Sequence, residues 1–295
     1  IILHYFTLFI KKYMKKTILV TGANGFIGAK VVEQLCNSGK YNIVAVDLNN
    51  TNINHKACFL ELNLLEHAND ENLSKILGNP NIIIHLAWRD GFIHNSKAHI
   101  EDLAQHMQLI QNFYSFEQLE SLSVMGTMHE IGYYEGMISD TTPCNPTTLY
   151  GISKNALRQF AFSQPHNCSL KWLRAYYIFD NAGNGSSIFS KIIKAANEGK
   201  HVFPLTMGEN KCDYISLEEL SEQIVEASTQ NEVDGIINVC SGEPLSLKNA
   251  VTYFVKNNNL DIEFDFGAFP DRPYDSHIIF GDNKKISFIM NSSFP

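Results

Sequence analysis

The chain lacks a long hydrophobic run, since no apolar segment approaches the roughly 18 residues that a membrane span needs. It is also short of positive charge, with 23 basic against 31 acidic residues and a formal net charge of -8. Binding to a nucleic-acid backbone relies on a positively charged surface. We therefore expect no nucleic-acid and no membrane partner, and look for a small-molecule substrate instead.

Paired cysteines are absent as well. The six cysteines are scattered without a C-x-x-C pair, at Cys36, Cys58, Cys144, Cys168, Cys212 and Cys240. This pattern indicates neither a disulfide framework nor a zinc ribbon. We expect reduced thiols, a cytoplasmic location and no bound metal.

The first residues do not have the order of a secretory signal. Residues 1–10 are apolar and the basic cluster 11–16 follows them, whereas a signal puts its charges first and ends in a small-residue cleavage site. We interpret residues 1–13 as an upstream extension before the first strand. The alternative is a short amphipathic membrane anchor.

What the sequence does contain is an alternation of short apolar runs with helical segments. The apolar runs are residues 17–20, 43–46, 82–86, 122–125 and 170–177. Such an alternation predicts an α/β fold with a doubly wound parallel sheet, here over residues 14–177. We expect residues 178–295 to form mainly a smaller α/β substrate-binding lobe over the carboxyl edge of that sheet. Residues 211–240 are expected to return to the first domain.

A glycine-spaced turn follows the first predicted strand, with Gly22, Gly25 and Gly28 in the spacing G-x-x-G-x-x-G. Such a turn brings backbone N–H groups and a helix N-terminus up to a pyrophosphate. It predicts a dinucleotide-binding Rossmann domain, although an ordinary turn before a helix is the alternative. The intervening residues expected at the cofactor are Asn24, Phe26 and Ile27.

Asp47 ends the second predicted strand. A carboxylate at this position accepts hydrogen bonds from ribose hydroxyls and repels a 2′-phosphate, and residues 48–52 supply no cation for such a phosphate. NAD is thereby favoured over NADP, which stays the alternative. Asp47 has a second interpretation as a simple turn acid at a strand end.

Tyr150 and Lys154 stand four residues apart, which places them on one face of a helix. A tyrosine with a pKa near ~10 needs a shift of about three units to work at neutral pH, and a lysine cation favours that shift. Thr127, after the fourth predicted strand, is placed to donate a hydrogen bond to a substrate oxygen while Tyr150 moves the proton. The alternative for Thr127 is a capping hydroxyl.

Together these residues resemble the extended short-chain dehydrogenase/reductase family, in its NAD-dependent epimerase/dehydratase branch. The resemblance spans nearly all of residues 15–285. Three further segments carry it: Ile84-His85-Leu86-Ala87 is similar to the family's H-L-A-A, residues 212–216 to its R-D-Y-I-H-V, and residues 238–242 to a strand end of the form N-V-G-S-G.

The resemblance implies additional contacts with cofactor and substrate. For the cofactor these are Asn63, Leu64, Leu86, Ala87, Tyr150, Lys154 and Tyr177. For the substrate they are Trp88, Thr127, Met128, His129, Tyr150 and Arg272. The last of these stands where the family carries an arginine for the sugar-nucleotide diphosphate, with an ion pair to Asp271 or Asp275 as the alternative.

Departures from the family pattern narrow the expected reaction. Met128 and His129 stand where 4,6-dehydratases have an Asp-Glu pair, which disfavours dehydration. Tyr177 stands where many epimerases carry an asparagine. His85 and His129 lack neighbours with metal-ligand spacing, so we interpret them as structural histidines rather than ligands or general bases.

Within the branch, the chain looks most like reductases of 4-keto-6-deoxy sugar nucleotides, on the motif Gly126-Thr127-x-His129-Glu130-x-Gly132 and the ending over residues 272–282. We expect an NAD(P)H-dependent reduction at C4, with a C4 epimerase that retains NAD as the alternative. A non-catalytic dinucleotide sensor is the alternative of another class, although such a protein is expected to lose the tyrosine or the lysine. Family members often form homodimers, which implies pairing through helices near residues 100–116 and 149–162.

Overall fold

A computed structural model describes residues 15–183, 185, 187–270 and 276–293. The segment 1–13 and Arg272 therefore lie outside the described residues. The strands, in chain order, are β1 (Thr17–Thr21), β2 (Asn42–Asp47), β3 (Cys58–Glu61), β4 (Ile82–His85), β5 (Ser121–Thr127), β6 (Gly136–Ile138), β7 (Ser169–Ala175), β8 (Tyr177–Phe179), β9 (Val202–Leu205), β10 (Lys211–Ser216), β11 (Gly235–Val239), β12 (Pro244–Ser246), β13 (Glu263–Phe266) and β14 (Ile278–Gly281).

The helices, also in chain order, are α1 (Phe26–Ser38), α2 (Leu73–Ile76), α3 (Ala98–Glu101), α4 (Leu103–Tyr114), α5 (Leu149–Ser163), α6 (Ile188–Asn197), α7 (Leu217–Thr229), α8 (Leu247–Asn257) and α9 (Lys284–Ser293). Two 3-10 turns, Leu64–His67 and Met128–Glu130, follow β3 and β5. Both turns therefore lie at the carboxyl ends of strands.

A sheet of parallel strands in the order β3-β2-β1-β4-β5-β7-β11 forms the large domain. Helices cover both of its faces, so its strands are apolar on both sides. In β1, for example, Ile18 and Val20 pack toward α1 and α7, whereas Leu19 packs toward α4 and α5. The expected doubly wound α/β fold is confirmed.

One strand of this sheet, β3, was not predicted from the sequence. β3 is an edge strand of four residues, Cys58–Glu61, none of which is fully buried. An edge strand packs against a neighbour on one side only, so it lacks the continuous apolar run that marks a central strand.

The smaller lobe is built on a second sheet, in the order β12-β10-β14-β6, with β8 pairing to β10. A separate parallel pair, β9 and β13, packs with α6 and α8 around Phe189, Val251 and Phe254. The chain returns to the large domain at Leu217, not at residue 211 as expected, because β10 pairs within the second sheet. α9 also returns, since Ile286 and Ile289 join the core beside α7.

The large sheet reverses its winding between β1 and β4. Connections from β1 lead outward through β2 to β3, and those from β4 lead the other way. A crevice forms outside the carboxyl ends of the strands at such a switch point, where ligands of open α/β sheets bind. Within the part of the chain that the structure describes, no helix is both long and apolar enough to cross a bilayer.

Candidate active site

The glycine turn brings β1 and α1 together at this crevice. Gly22 has φ +65°, and a Cβ on Gly28 would lie 2.0 Å from the Gly22 carbonyl oxygen. The helix begins at Phe26 after Gly25, which offers no side-chain cap, and its first turn carries no acidic residue. The first amides of α1 are thus left for an anion. This fits the pyrophosphate of a dinucleotide.

Asp47 lies beside the turn, at the end of β2. One carboxylate oxygen accepts the backbone N–H of Asn24 at 2.8 Å, and the other accepts that of Leu48 at 2.7 Å. The Asn24 side-chain oxygen in turn accepts the backbone N–H of Asn52 at 2.7 Å. Asp47 therefore serves as a turn acid, and each of its oxygens keeps a further lone pair for a ribose hydroxyl. Both interpretations of this residue are compatible.

The remaining residues expected at the cofactor differ in their surroundings. Ala87, which follows Leu86, donates its backbone N–H to Thr21 Oγ1 at 3.3 Å, so the ends of β1 and β4 are tied together. Asn63 is exposed after β3, whereas the Leu64 side chain is buried in the core below it. Ile27 and Tyr177 border the main cavity, and the ring of Phe26 meets that of Phe92.

The three expected catalytic groups lie close together at the carboxyl edge. Thr127 is the last residue of β5, and its side chain lies close enough to that of Tyr150, in the first turn of α5, to lower the pKa of the phenol. The Lys154 amine, one helical turn later, donates to the Met125 carbonyl at 2.8 Å. Thr127 and Lys154 are buried, whereas Tyr150 is half-buried and borders the cavity.

A glycine allows α5 to approach the end of β5 this closely. A Cβ on Gly151 would lie 2.3 Å from the His129 carbonyl oxygen. The helix is capped by Thr148, whose hydroxyl accepts the Gly151 N–H at 3.2 Å. The backbone N–H of Tyr150 also donates to the His94 carbonyl at 2.9 Å. Close backbone contacts thus fix the position of Tyr150 relative to Thr127.

The electrostatics of the pair differ from the sequence expectation. Burial raises the pKa of Tyr150, the Thr127 hydrogen bond opposes this and the Glu130 charge adds to it. Burial also lowers the pKa of Lys154 to about 7, against an opposing effect of Glu130. The expected lowering of the phenol's pKa by Lys154 is therefore not observed. The reason is geometric, because the amine points to the Met125 carbonyl and the Trp88 ring.

Trp88 packs behind Lys154 instead of lining the cavity. Its ring stacks on His106 at 4.5 Å between centroids, and its indole N–H donates to His99 at 3.0 Å. The Lys154 amine lies 3.9 Å from the centroid of the same ring. The structure thus brings Trp88 to the lysine, a cation–π contact, and not to the substrate space where it was expected.

Two histidines differ in their roles. His85 is fully buried, and its ring nitrogens bond Thr21 Oγ1 at 2.7 Å and His106 Nδ1 at 3.2 Å. Burial lowers its pKa to about 3, so it is a neutral structural residue. His129 borders the cavity with its ring centroid 4.3 Å from that of His94, and burial lowers its pKa to about 4. Among the described residues, no group of three or more histidine, cysteine or carboxylate side chains is arranged to hold a metal ion.

A cavity of about 1410 Å³ extends from the catalytic group into the smaller lobe. Met128 and His129 border it near Tyr150, and Lys191 and Lys194 border it on α6. It exceeds the roughly 300–1,000 Å³ of ordinary small-molecule pockets. A ligand of several linked groups therefore fits here better than a single small ring.

Several residues near the site were given no role from the sequence: His94, His99, His106, Glu130 and Trp172. One of them did carry a signal. Thr127 and Glu130 stand three residues apart, the spacing of a capping box, and the structure closes that box. The others come from elements far apart in sequence, which no local pattern relates.

The chain is similar to known proteins over most of its length. The sequence profile described as "NAD dependent epimerase/dehydratase family" matches residues 18–240. The chain is 38% identical over 269 residues to the dTDP-6-deoxy-L-talose 4-dehydrogenase (NAD(+)) of Aggregatibacter actinomycetemcomitans, covering 90% of this chain and 98% of that protein.

Solved structures share the fold at lower identity. A UDP-N-acetylglucosamine 4-epimerase of Methanobrevibacter ruminantium M1 superposes with a TM-score of 0.79 at 20% identity, covering 96% of this chain and 93% of that one. A UDP-glucose 4-epimerase of Thermotoga maritima has a TM-score of 0.77 at 20% identity, with 92% and 91% covered.

Proposed function

We propose that this chain reduces the C4 ketone of a nucleotide-linked 6-deoxyhexose and catalyses the reverse oxidation. It belongs to the NAD dependent epimerase/dehydratase family and is thereby an NAD-dependent enzyme of the extended short-chain dehydrogenase/reductase type. The main support for this reaction is that Thr127, Tyr150 and Lys154 lie close together between the glycine turn and the cavity. Retention of all three groups argues against a non-catalytic sensor.

The cofactor site fits NAD, because the Gly22–Gly28 turn leaves amides for a pyrophosphate and Asp47 lies where a ribose binds. When bound, the cofactor supplies or accepts the hydride at C4. In reduction, Tyr150 gives its phenolic proton to the C4 oxygen as the ketone becomes an alcohol. Thr127 donates a hydrogen bond to the same oxygen and stabilises the phenolate that remains, while Lys154 is left to hold the cofactor's ribose.

The substrate assignment draws on the cavity and on the 38% identical relative. That relative is named for dTDP-6-deoxy-L-talose and NAD(+), and its matched region spans almost its whole length. A nucleotide diphosphate sugar suits a cavity of this volume whose lining includes Lys191 and Lys194, since both cations can pair with phosphate oxygens. Arg272 stays a further candidate for this role outside the described residues.

The assay that tests the proposal follows absorbance at 340 nm with the purified protein. We expect NADH to appear with dTDP-6-deoxy-L-talose and NAD⁺, and to be consumed with the corresponding 4-keto sugar nucleotide. Glucose and free 6-deoxyhexoses serve as controls that lack the nucleotide. Absence of any NAD-linked turnover with dTDP-, UDP-, CDP- and GDP-linked sugars would reject the proposal.

A C4 epimerase is the second candidate, since both solved relatives above are 4-epimerases. An epimerase regenerates its cofactor in every cycle, so it interconverts the two C4 epimers without net NADH formation. Product analysis of the same reaction separates the two. Epimer formation without a change in absorbance would favour the epimerase over the 4-ketoreductase.

We further propose a homodimer and a cytoplasmic location. Large apolar side chains are exposed on the helices expected to pair, namely Ile100 on α3 and Ile152 and Phe162 on α5. α4 and α5 pack side by side, as a two-helix interface requires. Sedimentation equilibrium tests the dimer, with Ile152→Glu expected to shift it toward monomer.

A further inference from the structure

Glu130 is a fully buried carboxylate three residues after Thr127. Its Oε1 accepts the backbone N–H of Thr127 at 2.7 Å and the indole N–H of Trp172 at 2.9 Å. We propose that Glu130 is a positioning residue of this enzyme, which orients the Thr127 hydroxyl and places a negative charge behind the proton-transfer groups. The inference rests on the proposed C4 chemistry, in which Thr127 and Tyr150 meet the substrate oxygen.

The orientation of the Thr127 hydroxyl follows from the capping box that Glu130 closes. The hydroxyl oxygen accepts the backbone N–H of His129 at 3.3 Å, while Glu130 holds the N–H of Thr127 itself. Because the oxygen accepts this N–H, the hydroxyl is left to donate, and Tyr150 lies close enough for Thr127 to lower the pKa of its phenol. Glu130, which does not border the cavity, thereby sets the direction of the Thr127 side chain, which does.

The second carboxylate oxygen ties together the elements that carry the site. Oε2 lies 3.5 Å from Nη2 of Arg174 on β7 and 3.6 Å from Nε of Arg158 on α5. A buried ionic cluster is seldom more stabilising than apolar packing of the same volume. A gain in stability therefore does not explain why a carboxylate is buried here. Its position behind Thr127 does explain it, because there it can orient the threonine.

Glu130 also acts on the two groups that exchange protons. Its charge raises the pKa of Lys154, against the effect of burial, and it raises the pKa of Tyr150. Loss of the charge is therefore expected to lower both pKa values. The carboxylate thus favours the cationic lysine and the protonated phenol, which are the states that a reduction needs.

Two conservative variants separate these effects. Glu130→Gln keeps an acceptor for the Thr127 N–H but removes the charge, so we expect the alkaline limb of the kcat–pH profile to move to lower pH by about one unit. Glu130→Asp keeps the charge but is one methylene too short to hold Thr127. For it we expect kcat to fall ~10–100-fold with an unshifted pH profile. KM should stay near wild type in both, because Glu130 does not border the cavity.

Asp213→Asn is the matched control, because Asp213 is also a fully buried carboxylate that accepts backbone N–H groups, those of Ser241, Gly242 and Gly281. It should lower the Tm and leave the pH profile in place. A folded Glu130→Gln with the wild-type profile, or a folded Glu130→Asp with the wild-type kcat, would overturn the inference.

A measurement without substrate keeps this result distinct from a failure of the proposed function. The pKa of Lys154 in the folded protein is obtained from the pH dependence of the unfolding free energy, by comparing each background with its Lys154→Met variant. We expect a lower value in the Glu130→Gln background than in wild type. An equal value would contradict the charge effect, even in a protein that turns over no sugar nucleotide.

Discussion

The two ends of the ligand crevice are built from different parts of the chain. At the Gly22–Gly28 turn three glycines expose backbone, and the neighbouring carboxylate of Asp47 is held by main-chain N–H groups. At Thr127 the surface consists of side chains, backed by the buried charge of Glu130 and by Lys154. Under the proposed function, the cofactor is thus bound mainly by backbone groups, whereas proton transfer uses side chains whose pKa values burial and Glu130 shift.

This difference predicts how substitutions at each end should act. At the backbone surface a new side chain obstructs the ligand, which lowers the affinity for the cofactor. Side-chain surfaces fail when a functional group is lost or displaced, which affects the rate constant of the chemical step and leaves the cofactor bound. Four substitutions, in order of decreasing expected effect, test whether cofactor affinity and kcat change independently.

Tyr150→Phe is expected to have the largest effect. It removes the hydroxyl that moves the proton but keeps the ring and its contacts, so we expect kcat to fall by ~10²–10⁴. The Kd for NAD, measured by fluorescence or calorimetry, should change less than about threefold, since the turn is untouched. A variant with near wild-type kcat would remove Tyr150 from the mechanism.

Gly28→Ala should do the reverse. Its Cβ would lie 2.0 Å from the Gly22 carbonyl oxygen, which forces α1 away from the turn and costs the pyrophosphate its amide donors. Loss of one or two hydrogen bonds to a charged group, at about 1.5–3 kcal/mol each, predicts an NAD Kd raised by ~10–100-fold or more.

Gly39→Ala is the control for this substitution. Gly39 has φ +63°, and the position that a Cβ would take there has no neighbouring atom within 4 Å, so alanine should cost about 1 kcal/mol of stability. NAD affinity should not change. Equal Kd values for Gly28→Ala and wild type would show that the turn does not hold the cofactor.

Gly151→Ala should separate the two ends most sharply. A Cβ 2.3 Å from the His129 carbonyl oxygen pushes α5 away from β5, and a displacement approaching 1 Å between Tyr150 and Thr127 predicts a kcat lower by ~10–100-fold. The NAD Kd should stay close to wild type. A rise in Kd with an unchanged kcat would mean that the two ends are not independent.

Lys154→Met is expected to change stability in a pH-dependent way. The folded-state pKa of Lys154 is about 7 against 10.5 for a free lysine, so between these values the unfolded chain binds a proton that the folded chain does not. The unfolding free energy of wild type therefore rises with pH across this window through this group. The variant lacks this contribution, on the order of a few kcal/mol.

Urea unfolding of both proteins from pH 7 to pH 10 measures the difference. The stability of Lys154→Met minus that of wild type should be largest near pH 7 and fall toward pH 10. Lys171, whose pKa burial lowers to about 8, contributes equally to both proteins and cancels. A difference that is constant over this range would contradict a buried, destabilised lysine cation.

The parts of this protein that follow local rules were predictable. The central strands and the glycine turn depend on runs and spacings within a few residues, and the structure has them at the predicted places. The edge strand β3 was missed because its exposed residues carry no apolar run. Trp88 was expected at the substrate, but its direction depends on His99 and His106, which belong to other elements.

The chain order of apolar runs, glycines and the Tyr150–Lys154 spacing was enough to determine the α/β fold, the dinucleotide turn and the family. These features act over one turn or one strand, where the geometry of the peptide backbone dictates the outcome. Only the tertiary structure decided that Lys154 faces Met125 and Trp88, and that Glu130 closes the site from behind with Arg158 and Arg174. Those contacts join strands and helices distant in sequence, and burial sets their charges, so they exist only once the layers have packed.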